Sequence, residues 1–323
     1  MLGLLLVSLV ILLPAALGAS QGLYLLAPTT GQLLLLNATS GERAPIGQGL
    51  ASLGWSAPPD CSPTAIDTTG KWLYTFARRT GAPSTAPWSV LSLELRDGSI
   101  RKEYTLPPAF PPSLAACEHA LAEDGGWHLF VTSVTRDAAP RLLVARFTYT
   151  WPFSNESAVL LDTPLAPLGM GGAPAVLTSA VTNFTSWVAL EGGLLGLDLL
   201  SLLPARRLPL QRGETLAGLQ YDISGLPRRT YGVLQDAAGA TSIASFVDTG
   251  AGVPRLAAVR TAAPAPPSVA NRAALMNDQG ALAVASGGRV LTLRLSDGAL
   301  LASVPECAGG TCPIALAYEP FVF

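Results

Sequence analysis

The chain has 323 residues, a formal net charge of −2 and only 13% charged residues. That length can bury a sizeable core, as one large domain or two ordinary ones. Lysine is nearly absent (Lys71 and Lys102 only) and no basic stripe occurs, which argues against nucleic acid, because phosphate binding needs clustered cations.

The N-terminal segment carries an apolar run from Leu2 to Leu13, followed by Pro14 and small residues. Ala16-Leu17-Gly18 fits the small-x-small rule for signal cleavage. Residues 1–18 therefore read as a signal peptide and 19–323 as one secreted domain. The run is shorter than the roughly 20 residues of a membrane span. No cation precedes it, so an uncleaved anchor is the alternative. No later segment reads as a transmembrane helix.

Along the mature chain one pattern returns: apolar residues, an acidic or amide residue, a short turn, then alternating hydrophobics. It appears as "AIDTTGKWLYTF" from Ala65, "ALAEDGGWHLFVTS" from Ala120 and "SAVTNFTSWVAL" from Ser179. It returns as "LQYDISGLPRRTYGVL" from Leu219 and "LMNDQGALAVAS" from Leu275. A second hairpin follows each unit. Its turns fall at Ser40-Gly41, Asp97-Gly98, Thr249-Gly250 and Asp297-Gly298, where glycine supplies the positive φ such turns need.

Equivalent turns recur about every 45–55 residues with four short strands per period, the signature of a β-propeller. A lone four-stranded sheet cannot bury both faces, whereas a ring of them buries all. Five units run over roughly 60–107, 113–163, 172–210, 215–262 and 267–305. The sixth is divided: "CPIALAYEP" supplies an inner strand and "GLYLLAPTTGQLLLLNATSGERAPI" three outer ones. The expected fold is all-β, a six-bladed propeller closed by pairing of the two ends, which removes exposed sheet edges. Seven blades or tandem β-sandwiches are the alternatives.

Four cysteines in an oxidising compartment suggest two disulfides. "CAGGTC" encloses a short loop, so Cys307–Cys312 costs least chain entropy and leaves Cys61 with Cys117. Sequons at Asn37, Asn155 and Asn183 are glycosylation candidates.

The units resemble the YVTN and quinoprotein-like propeller repeats, most clearly in "TAIDTTGKWLYTFARR…VLSLELRDGS". The resemblance is one of fold pattern and covers most of the mature chain. With two histidines and no catalytic constellation, the expected role is an extracellular module that binds or scaffolds a protein or glycan partner through its rim loops. That role needs no cofactor. The alternative that the resemblance implies is a Ca²⁺-dependent lactonase or esterase at the mouth of the central channel. Asp60, Glu118, Asn271 and Glu319 then supply oxygens for the ion, and His119 is the candidate general base.

Overall fold

The computed structural model describes residues 22–28, 30–59, 61–67, 71–124, 128–148, 159–172, 177–182, 185–224, 226–250, 255–260, 273–286, 288–307 and 315–319. Six antiparallel sheets form a ring. Blade I is built from both ends of the chain: Ala315–Glu319 is innermost, followed outward by Gly22–Leu26, Leu33–Leu36 and Arg43–Ile46. Leu23 lies opposite Tyr318 and Leu25 opposite Leu316 in the closing register.

The other blades follow in chain order, inner strand first. Blade II has Thr64–Ile66, Trp72–Arg79, Ser89–Glu94 and Ile100–Thr105; blade III has His119–Glu123, His128–Val134, Arg141–Thr148 and Val159–Pro164. Blade IV comprises Thr178–Val181, Thr185–Leu190, Gly193–Asp198 and Pro204–Pro209. Blade V comprises Thr215–Asp222, Arg229–Gln235, Thr241–Phe246 and Ala257–Arg260, and blade VI comprises Ala273–Met276, Ala281–Ser286, Arg289–Arg294 and Leu300–Pro305. Each inner strand touches the inner strands of both neighbouring blades, so the ring is closed around a central axis. No helix among the described residues is long and apolar enough to cross a membrane.

The packing follows from the period-2 alternation of strand side chains. In "GLYLL" of blade I, Leu23 and Leu25 pack against blade VI, while Tyr24 and Leu26 pack against blade II. In blade III, Leu129 and Val131 face blade II and Phe130 faces blade IV. Strands buried on both faces read as nearly continuous hydrophobic runs, as these do. The glycines expected at the outer hairpins hold φ of +79° (Gly41), +69° (Gly98), +75° (Gly250) and +71° (Gly298).

Blade II departs from the expected four strands. Its inner strand has only three residues and pairs Leu73–Thr75. The far end of the long second strand pairs instead with a two-residue strand, Trp55–Ser56. Arg79 stacks over Trp55 with its guanidinium 3.9 Å from the ring centroid.

Candidate functional site

The starts of the inner strands meet on one face of the ring and are stitched together. Cys61 precedes the inner strand of blade II and Cys117 that of blade III; a disulfide joins them with Cα atoms 5.7 Å apart. The Cys117 carbonyl accepts the Leu177 N–H at 3.0 Å, which ties blade III to blade IV. Thr178 Oγ1 accepts the Leu219 N–H at 2.9 Å, at a bulge in the inner strand of blade V. Thr64 Oγ1 donates to the Leu316 carbonyl at 3.2 Å, linking blade II to blade I.

Two of the expected site residues lie here with described side chains. Glu118 closes a short turn, Ala116–Glu118, that precedes the inner strand of blade III. One of its carboxylate oxygens accepts the Ala115 N–H at 2.7 Å and the other pairs with Arg136 Nε at 2.9 Å. His119, next in sequence, is 1% exposed. Its ring stacks on Phe76 of blade II at 4.8 Å, and Nδ1 hydrogen-bonds Ser133 Oγ. Burial, reinforced by the charge of Arg78, pushes its pKa down to about 3, so the imidazole is neutral at ordinary pH.

Asp60 and Asn271 lie outside the described residues, as do Cys312, Asn155 and Asn183. Glu319 ends the inner strand of blade I, opposite Gly22. Cys307 is disulfide-bonded. Asn37 sits exposed in the outer hairpin of blade I, its side-chain oxygen accepting the N–H groups of Thr39 at 2.9 Å and Ser40 at 3.0 Å.

Calcium asks for six to eight oxygen ligands. Among the described residues no group of three or more His, Cys, Asp or Glu could hold a metal, and the carboxylate of Glu118 is engaged by Arg136 and Ala115. Of the four oxygen donors expected for the ion, Asp60 and Asn271 lie outside the described residues.

On the opposite face, the inner strands turn into the second strands through capping carboxylates. Asp67 Oδ1 accepts the N–H groups of Lys71 at 2.8 Å and Trp72 at 2.7 Å. Asp222 accepts the N–H of Ser224 at 2.9 Å. Tyr318 donates to Asp278 at 2.8 Å, which joins blade I to blade VI. In blade III the cap is Asp124, which holds both the backbone and the imidazole of His128. That contact is foreshadowed in the sequence only by an aspartate and a histidine four positions apart across "DGGWH".

No family model matches the chain, and no protein of curated function matches it in sequence. Solved structures do match in fold. A periplasmic gluconolactonase of Pseudomonas aeruginosa is 17% identical, with 88% of this chain covering 78% of that one at a TM-score of 0.50. A protein of Bacteroides uniformis described as a 6-phosphogluconolactonase is 15% identical, with 93% and 100% coverage and a TM-score of 0.46. The molecule is thus a six-bladed member of the propeller class. The expectation of a binding or scaffolding module is corrected here: the Pseudomonas aeruginosa neighbour is described as a gluconolactonase.

Proposed function

We propose that this protein is a lactonase-type hydrolase working at a mouth of its central channel. The observation that carries the reading is the fold shared with the periplasmic gluconolactonase over 88% of the chain. A rigid ring that presents loops around an axis is suited to hold a small cyclic ester while water attacks its carbonyl. The reaction requires a base to take a proton from water and a donor to return one to the ring oxygen.

An exported location accords with the same reading. The Cys61–Cys117 bond is of a kind that persists in oxidising compartments, and the fold neighbour is periplasmic. Export in a cell that glycosylates would make the exposed Asn37 turn an acceptor site.

The purified chain is expected to open δ-gluconolactone faster than the spontaneous reaction, followed as acid release in a pH-stat. Release at the spontaneous rate, across sugar lactones of five- and six-membered ring, refutes the reading.

A further inference from the structure

Blade III carries Asp124 just after its first strand and His128 at the start of its second. At the corresponding turns Asp67 of blade II accepts the backbone N–H groups of Lys71 and Trp72, and Asp222 of blade V accepts the backbone N–H and the hydroxyl of Ser224. Asp124 does this with Oδ1, which accepts the His128 N–H at 2.7 Å. Its second oxygen, Oδ2, meets His128 Nδ1 at 2.5 Å. One carboxylate thus holds both the backbone and the ring of the same residue.

That arrangement decides the tautomer. With the Nδ1 proton donated to Asp124, the Nε2 lone pair is the free end of the ring. Among the described residues Nε2 has no hydrogen-bond partner, and Asp124 is the one ionisable group in ion-pair contact with the imidazole. The edge of the ring lies against Phe130, with centroids 6.2 Å apart and planes at 62°. The His128 side chain is 26% exposed, while Asp124 beneath it is 10% exposed. An accessible imidazole held by a sheltered carboxylate is the pairing that general-base catalysis uses. The chain's other histidine, His119, is sealed between blades.

We propose that His128 is the general base of the hydrolase, with Asp124 as its positioning residue, at the channel face opposite the Cys61–Cys117 disulfide. The assignment rests on the lactonase reading above. His128 Nε2 takes a proton from a water molecule as the water oxygen bonds to the lactone carbonyl carbon. The tetrahedral intermediate then breaks its bond to the ring oxygen, which takes the proton back from the imidazolium. One water is consumed, one hydroxy acid forms and the neutral imidazole is restored.

The test uses the full chain with δ-gluconolactone as probe. His128→Gln is expected to lower kcat at least about 100-fold, with KM within about threefold and the melting temperature within about 2 °C of wild type. Exogenous imidazole is expected to restore part of the activity of His128→Ala. Asp124→Asn no longer fixes the Nδ1-protonated tautomer, so kcat is expected to fall at least about tenfold with KM within about threefold of wild type. A merely structural role for Asp124 would lower the melting temperature and leave kcat in place. If His128→Gln does not fold, diethyl pyrocarbonate decides on the wild type: activity must be lost in step with acylation of His128. Wild-type activity with more than a third of kcat left in His128→Gln, or acylation of His128 without loss, overturns the assignment and leaves the hydrolase reading standing. A wild type without turnover refutes both.

Discussion

Asp248, on the loop after the third strand of blade V, is the centre of a polar contact between two blades. Its side chain is 1% exposed. Oδ1 pairs with Arg206 Nη1 of blade IV at 2.6 Å and accepts the Gly250 N–H at 3.0 Å. Oδ2 accepts Trp187 Nε1 at 3.0 Å and Thr182 Oγ1 at 2.9 Å, both from blade IV. Burial alone raises the pKa of this carboxyl, but the hydrogen bonds from Gly250, Thr185, Trp187 and Thr182 outweigh it and hold the group below its ordinary value.

Asp248→Ala strands these partners unequally. Trp187 is fully buried, so its indole N–H loses its acceptor at about 1–3 kcal/mol. Thr182 retains the Thr185 carbonyl, 3.1 Å away. Arg206 is 19% exposed and keeps its bond to the Gly250 carbonyl, which places the total near the lower end of the about 3–5 kcal/mol typical of breaking a buried pair. About 3 kcal/mol corresponds to a melting temperature lower by roughly 6 °C or more. Asp248→Asn keeps an acceptor for Trp187 and is expected to cost less than half as much. The wild-type contribution is present above the unfolded carboxylate pKa and fades as the pH falls through the lower folded value. Thermal and urea melts of both variants at pH 7 check this. An alanine variant within about 1 kcal/mol of wild type, or an asparagine variant as damaging as alanine, refutes the reasoning.

Two further outcomes follow from the inner-strand face. His119 falls from an ordinary pKa of 6.5 to about 3 on folding, so the unfolded chain takes up a proton first and stability is lost as pH drops below 6.5. At pH 5 the loss is 1.5 units at 1.36 kcal/mol each, about 2 kcal/mol; urea melts from pH 7.5 to 5 are expected to show it and His119→Phe to lack it, and equal slopes in the two proteins refute it. The Cys61–Cys117 bond closes a separation of 56 residues, for which chain entropy gives about 4 kcal/mol; the double serine variant is expected to melt correspondingly lower, and an unchanged melt under non-reducing conditions counts against the staple.

The architecture was legible because each blade writes itself locally. Turn residues and period-2 runs depend on neighbours a few positions apart, and the closing blade followed from an inner strand at one end and three outer strands at the other. The site was less so. Glu118 and His119 were singled out for their place before an inner strand, but Glu118 ends a turn and His119 opens the strand. One meets Arg136 and the other is sealed against Phe76. Asp124 was legible as a turn cap and not as the partner of an imidazole. Asp248 gave no signal of its role between blades, because its partners in blade IV lie 42 to 66 residues away.

From the amino-acid order alone came the all-β class, the number of blades, their closure and the Cys61–Cys117 pairing. These rest on repeats, turns and loop entropy, which act along the chain. Only the folded ring decided which charges are paired, which histidine is shut away and which is held open. Those outcomes depend on the distance between blades and on the removal of water between them, quantities that no local stretch of sequence contains.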